Sequence, residues 1–313
     1  MLRVVTGRFH PSLESALVDQ LHLAQADDPF APVAILVPSS TLLDRIKRLL
    51  SAERNCALLN VHLFTFHQLA LRLADEIRGQ DRAPSIRVVD DLFFEQLVRY
   101  LTRNRLSGLA PLQRIGHTSG TWAALWSSIR DLKDAGVDPA AAIQGVTEGY
   151  FGQDELDQLQ ALFSLYAAVE EVGTTFGVGT DDDFAESLIP FVPSSPFLAS
   201  LTHLFYYGFY DLTQVQLSLL EAVRATVQTT LFFPLEQDTS YTFAQRFFDR
   251  HISPLFAGAS VRATVSQSDV VVGANPVTLS ISSVIGTEEE LASTCRRILD
   301  LVEVGRGDDV MCE

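Results

Sequence analysis

The chain has 313 residues, 47% of them hydrophobic, and a formal net charge of -16. That is apolar material for a substantial core, and length for two domains or for one large domain carrying an insertion. No apolar run reaches the length of a membrane span, and the opening residues include Arg3, Arg8, His10, Glu14 and Asp19, so neither a spanning helix nor an export signal is expected and a cytoplasmic protein is.

In chain order, Leu2 to Val18 reads as a short β-branched strand, a turn at Thr6 to Pro11 and a helix. Val33 to Val37 is a continuous apolar run suited to a buried parallel strand, followed by Pro38-Ser39-Ser40 and a helix from about Thr41 to Ser51. Val61 to Thr65 is a third strand, leading into a helix from about Phe66 to Arg78. This alternation predicts an α/β fold with an open parallel sheet and helices on its faces.

After a polar break at Gly79 to Pro84 the strand signal fades at Val88. Helical patterns run through Asp90 to Arg103, Gly120 to Ala135, Pro139 to Val146 and Asp154 to Gly173, with Asp90 and Asp154 placed near N-termini. Gly173 to Asp183 reads as an acidic, Gly-rich loop in which Asp181, Asp182 and Asp183 are solvated, followed by a short helix and the Pro/Ser segment Pro190 to Pro196. The layered pattern then resumes with strands at Leu201 to Tyr207 and Thr229 to Pro234 around a helix ending at Thr226. A helix at Tyr241 to His251, strand-like Val261 to Val265 and Val277 to Val284, and a helix at Thr287 to Glu303 complete it. The expected division is residues 1–88 as the first part of the α/β domain, 89–197 as a mostly helical insertion and 198–313 as the second part. The end at Glu313 falls where another strand begins, as a truncation or an unusual terminus would leave it.

Charge is distributed unevenly. Residues 1–133 hold 16 Lys/Arg against 13 Asp/Glu, whereas residues 134–223 hold 14 Asp/Glu and no Lys or Arg. The first part can offer phosphate a local basic surface; the acidic middle suits solvent or a protein partner. Cys56, Cys295 and Cys312 are far apart and lack C-x-x-C spacing, which argues against a disulfide framework and against a self-contained metal site. Trp122 and Trp126, four apart, are expected to pack between helices.

The opening strand, turn and helix has the layout of a phosphate-binding loop, whose working form G-x-x-x-x-G-K-[ST] cradles phosphates on backbone N–H groups with a Lys and a hydroxyl beside them. Starting from Gly7, the second Gly position holds Ser12, the Lys position Leu13 and the Ser/Thr position Glu14, which would meet phosphate as a like charge. Ser15 lies one residue further, so a shifted register stays open.

Thr65-Phe66-His67-Gln68-Leu69-Ala70, directly after a strand, resembles the T-F-H-x-L segment of superfamily 1 helicases of the UvrD/RecB kind, and Leu36 to Ser40 resembles the segment before it. Those helicases carry a strand followed by D-E-F-Q-D-x-x-x-x-Q. Here the positions hold Tyr207, Gly208, Phe209, Tyr210, Asp211 and Gln216, so both acids that would hold Mg²⁺ and polarise water are replaced. Phe233 to Phe243 is loosely similar to the segment that senses nucleotide and DNA, with Tyr241 and Phe243 in place. Together with Leu132 to Pro139 and Thr287 to Leu301, these features resemble the AddB-type subunit of the bacterial ATP-dependent helicase/deoxyribonuclease and its RecC-like relatives.

The resemblance implies a RecA-like first lobe with its helical insertion, inactive as a motor. A second lobe and a nuclease domain with an iron-sulfur cluster would lie elsewhere in such a protein. It implies a vestigial nucleotide site at Gly7, Ser12, Leu13, Glu14, Tyr207, Gly208 and Asp211, with Tyr206, Tyr207 and Tyr210 filling the space of the lost nucleotide. No metal or cofactor is expected for this chain; ATP and Mg²⁺ belong only to the alternative of a P-loop NTPase with shifted motifs. Candidate DNA contacts are Ser39, Thr65, Phe66, His67, Arg99, Arg103 and Tyr241, although Thr65 and His67 also suit a helix start and Phe66 a core. The implied partners are single-stranded or duplex-end DNA and an active helicase-nuclease protein of the AddA/RecB type. A protein-interaction scaffold without DNA contact is the remaining alternative.

Overall fold

The computed structural model describes residues 2–56, 58–78, 86–104, 109–113, 118–149, 151–236, 241–256, 262–264 and 287–303. The chain falls into two compact units, Met1–Ser266 and Gln267–Glu313. In the second, the described element is a helix at Thr287–Glu303. The expected strand at Val277 to Val284 and the expected unfinished strand at the end lie outside the described residues, as does Cys312.

The first unit begins with strand β1 (Leu2–Gly7), a wide turn at Phe9–Leu13 and helix α1 (Glu14–Ala24). Strand β2 (Val33–Val37), helix α2 (Ser40–Arg48), strand β3 (Val61–Thr65) and helix α3 (Phe66–Arg78) follow. A two-residue strand, β4 (Arg87–Val88), leads into helices α4 (Asp91–Asn104), α5 (Ala110–Gln113), α6 (Ser119–Asp134), α7 (Pro139–Glu148) and α8 (Gln153–Phe176). Strand β5 (Val178–Gly179), helices α9 (Asp181–Leu188) and α10 (Pro196–Ser200), and strand β6 (His203–Tyr207) return the chain to the sheet. Helix α11 (Gln214–Thr226), strand β7 (Gln228–Pro234), helix α12 (Thr242–Phe247) and strand β8 (Arg262–Thr264) complete the unit.

Six strands form one sheet in the order β3-β2-β6-β7-β1-β8, and every pairing is parallel. Both faces are covered, which is why β2 is apolar throughout instead of alternating. The pleat sends neighbours to opposite faces. Leu36, Leu204, Tyr206, Leu231 and Phe233 pack with α3, α9 and α11, whereas Ile35, Val37, Phe205, Tyr207 and Phe232 pack with α1 and α2. At about 1.5–3 kcal/mol for each large side chain fully buried, these two layers supply the main driving force for the fold.

The helices between β4 and β5 build a third core from Phe94, Val98, Leu101, Trp122, Trp126, Ile129, Leu165 and Val169. The expected tryptophan packing is present: Trp126 stacks on Phe94 at 4.3 Å between ring centres, and its indole N–H donates to Asp91 Oδ1 at 2.8 Å. The insert leaves and rejoins the chain through a parallel β4·β5 ladder, in which Arg87 lies opposite Val178. Phe184, Leu188, Val192, Phe197 and Leu198 share the core of α3 and α11, so the segment after β5 packs with the sheet.

The acidic stretch expected as a loop is ordered differently. Helix α8 runs on to Phe176 and ends on Gly177, whose φ of +60° is the left-handed conformation that closes many helices. Asp181 to Asp183 then form the first turn of α9, where Thr180 Oγ1 accepts from Asp183 N and Asp183 Oδ2 accepts from Thr180 N. Three carboxylates suit the positive end of a helix, which is the physical reason a helix starts there.

Candidate functional site

Because the strands are all parallel, their carboxyl ends gather along one edge of the sheet, where ligands of open α/β sheets are usually held. Gly7, Val37, Tyr207 and Pro234 end β1, β2, β6 and β7 there. Arg8, just after β1, is joined to Glu236, just after β7, at 2.6 Å.

The turn after Gly7 is not an open cradle. Leu13 N donates to Arg8 O at 3.0 Å, the Glu14 amide donates to Pro11 O, and Pro11 has no amide hydrogen. Leu13 is fully buried and Ser12 nearly so. The Phe9 ring lies 5.3 Å from that of Tyr207, and the Tyr207 hydroxyl donates to Phe9 O at 3.3 Å. Burial, with the Glu14 charge nearby, pushes the Tyr207 phenol well above its ordinary range, so it remains a neutral donor.

Gly208 follows with φ +86°, and a Cβ placed on it would stand 2.3 Å from Leu42 Cδ2 and 3.5 Å from Phe9 Cε2 and Pro38 Cδ. Side chains from α2 and from the first turn thus occupy the space beside β6. Glu14, only 4% exposed, lies within the first turn of α1. Its carboxylate accepts from Arg45 of α2 at 3.2 Å and stands 2.8 Å from His10 Nδ1, while Arg45 also pairs with Glu53. The anion at this helix N-terminus is therefore one of the protein's own.

These residues do not fit Mg²⁺-ATP. Tyr207 and Gly208 present no carboxylate to a metal, Leu13 presents no cation, and Leu42, Phe9 and Pro38 stand close beside Gly208. Ser15, one residue further, accepts from Arg54 at 3.3 Å. Asp211 is exposed on the loop after β6, and partial burial of its carboxyl pushes its pKa up. Of the three tyrosines, Tyr207 faces this edge; Tyr206 points to the opposite core beside Phe209, and Tyr210 is 57% exposed. Two rings expected to fill the site therefore do not, the first because successive strand residues alternate faces.

The candidate DNA contacts are dispersed. Ser39 caps α2, its hydroxyl accepting from Leu42 N at 3.2 Å. Thr65 and Gln68 form a reciprocal cap at the start of α3, with 3.3 Å from Gln68 N to Thr65 Oγ1 and 3.0 Å from Thr65 N to Gln68 Oε1. Thr213 and Gln216 repeat the arrangement at α11, so the distant Gln of the helicase-like segment is engaged in helix capping. The T-x-x-Q spacing is a readable signal for both. Phe66 is buried in the core, and His67 reaches Asp181 at 3.4 Å. Tyr241 precedes α12 and is half-buried, while Arg99 and Arg103 are exposed on α4.

A cavity of about 720 Å³ lies between the helical insert and α9 and α11. Its walls include Asp90, Asp134, Asp138, Asp182 and Asp183, with Lys133 and Arg130 as the cations. Lys133 is 13% exposed and joins α6 to Glu170 of α8 and, at 2.8 Å, to Asp183 of α9. Burial and the Asp134 carboxyl beside it push Asp182 up to about 6. Burial also pushes Tyr166 up to about 12. Among the described residues no group of three or more His, Cys, Asp or Glu is arranged to hold a metal ion. The cysteines are equally plain: Cys56 Sγ lies 3.3 Å from His22 Nε2, and Cys295 is exposed.

A parallel sheet with helices on both faces, a turn at the end of β1 and a helical insert after α3 meet a family comparison here. Residues 5–252 match the family model described as ADDB, N-terminal. The chain belongs to that family. A similar curated protein is the B-type subunit of the ATP-dependent helicase/deoxyribonuclease of Heliobacterium modesticaldum, 26% identical over 229 residues. The aligned region covers 71% of this chain but 18% of that relative. The ADDB N-terminal match spans the sheet edge, the insert and the junction between them. No helix among the described residues is long and apolar enough to cross a membrane.

Proposed function

We propose that this chain is a RecA-like lobe that has lost its nucleotide and serves a DNA-repair helicase-nuclease as a noncatalytic element. It contacts or guides a DNA strand and supports assembly with an active partner of the AddA/RecB type. Family membership supports the setting, through the relative whose printed name is that of a helicase/deoxyribonuclease component. The observation that carries the noncatalytic part is the closed sheet edge: Leu42 against Gly208, Phe9 against Tyr207, and Glu14 against Arg45.

In this reading Gly7, Ser12, Leu13, Glu14, Tyr207, Gly208 and Asp211 are the remnant of a phosphate and metal pocket. Glu14 takes the position at the helix N-terminus where a phosphate would bind, and Arg45 balances it. The division into lobe and insert follows residues 1–88, 89–197 and 198 onward, with the segment after β5 bracing the insert against the sheet. Force for strand separation, and cutting, come from other parts of the assembly. Among the DNA candidates, Arg99 and Arg103 are the accessible cations; Ser39, Thr65 and Phe66 contribute chiefly by shaping the ends and the core of their helices.

Titration of a labelled ATP analogue with Mg²⁺ tests the first half. Binding is expected to be absent below about millimolar concentration, a limit corresponding to about 4 kcal/mol. A micromolar, Mg²⁺-dependent complex would sink the vestigial reading and favour the shifted-motif NTPase. Anisotropy of labelled tailed duplex DNA at two salt concentrations tests the second half. Salt-sensitive binding is expected, and its absence would leave the chain as a protein scaffold.

A further inference from the structure

Helix α4 turns one face inward and leaves the other without cover. Phe94, Val98 and Leu101 enter the insert's core. Opposite them Leu92 is 60% exposed, Phe93 39% and Tyr100 52%, with Gln96, Arg99 and Arg103 also exposed. At about 100° per residue these six side chains fall within an arc of roughly 120°, a single stripe along the helix.

The stripe carries no carboxylate, in a chain whose net charge is -16. The helix carries Asp91 and Glu95 outside this stripe, and from Gln96 to Arg130 the sequence contains no Asp or Glu and five arginines. Arg99 donates to Gln96 at 3.4 Å, and Arg103 lies over the Trp122 ring at 5.9 Å, so among the described residues neither guanidinium has a carboxylate partner. Phe93 is braced edge-on by Phe94 at 5.4 Å, which in turn stacks on Trp126. A supported aromatic ring with cations alternating beside it suits a ligand having flat apolar faces and a regular run of negative charge. A protein partner would supply the apolar faces but no such run, and duplex DNA would supply the charge while hiding its base faces.

We propose that the outer face of α4 binds single-stranded DNA, with Phe93 and Tyr100 stacking on unpaired bases and Arg99 and Arg103 meeting the adjoining phosphates. The proposal rests on the DNA-guiding reading and sharpens it by naming the strand state and the surface. Stacking tolerates any base sequence, and alanine substitution at such rings typically weakens binding by about 5- to 150-fold per base. Leu92 adds exposed apolar surface at the N-terminal end of the stripe.

The test measures binding of the whole chain to a fluorescein-labelled thymidine oligonucleotide and to a blunt duplex of equal length, by anisotropy over a salt series. Tyr100→Ala and Phe93→Ala are expected to weaken single-strand binding by about 10-fold each, leaving blunt-duplex binding within about twofold. Tyr100→Phe, which keeps the ring, is expected to bind like the parent. Arg99→Gln is expected to lower the slope of log affinity against log salt by about 0.7, the loss of one phosphate contact on a single strand. Leu23→Ala, at a residue exposed elsewhere on the surface, serves as the control, and thermal unfolding verifies that each variant is folded.

Unchanged single-strand affinity in both alanine variants overturns the proposal while the DNA-guiding reading stands. Equal losses in Tyr100→Phe and Tyr100→Ala overturn stacking as the source of affinity. A parent chain that binds neither DNA at low salt overturns the proposal together with the reading on which it rests.

Discussion

At the carboxyl edge of the sheet side chains are packed closely together, whereas at the junction between sheet and insert the chain leaves a cleft walled by carboxylates. The two regions differ in how charge is managed. At the edge, Glu14 is buried but held by Arg45, and the neighbouring space is taken up by Phe9, Leu42 and Tyr207. At the junction, Lys133 bridges two carboxylates, and Asp182 lies beside Asp134, on which the Arg130 and Lys133 charges also act. The junction keeps charge in reserve, and its helices meet through ion pairs that depend on solvent and pH.

The strongest way to break this comparison is to remove the junction's cation. Lys133→Met leaves Glu170 and Asp183 without their shared partner and is expected to cost about 2–3 kcal/mol, read by urea denaturation at neutral pH. An effect below about 0.5 kcal/mol would mean that the insert and the sheet do not rely on this bridge. At the edge, Gly208→Ala must adopt φ +86° and press its methyl group on Leu42, with an expected loss of about 2 kcal/mol. Adding Leu42→Ala should recover part of that loss, because it relieves the contact but not the backbone strain. If Gly208→Ala is neutral, the edge is looser than the packing indicates and the argument for a filled pocket fails.

The sheet was legible because burial on both faces demands continuous apolar strands, and Val33 to Val37 is one without interruption. The helices of the insert were legible from their apolar periodicity, as at Trp122 and Trp126. The stretch from Gly173 to Asp183 was not, because clustered acids read as solvated loop unless the capping relation between Thr180 and Asp183 is noticed. The edge was legible only in part. That a Lys and two carboxylates of the helicase pattern are absent is visible in one sequence, but the side chains packed around those positions are not. Arg45 reaches Glu14 across 31 residues of chain, and Leu42 meets Gly208 only once β2 and β6 are paired. The same limit applies to the cleft, whose walls come from segments that share no local pattern.

The smallest expected effect is the most direct probe of the cleft's unbalanced charge. Burial first, and then the Asp134 carboxyl, raise Asp182 from 3.8 to about 6, so the folded chain keeps a proton there that the unfolded chain releases. The resulting contribution to stability is fully present below about pH 4 and is lost as pH rises through about 6. Asp182→Asn removes the ionisable group while keeping its shape. Allowing for solvent screening at a partly open site, it should stabilise the chain by about 1 kcal/mol at pH 8 and change little at pH 4. Thermal unfolding at the two pH values measures the difference. If the variant's advantage is the same at both, the carboxylates do not crowd one another in solution, and the contrast between a charge-balanced edge and an unbalanced junction disappears.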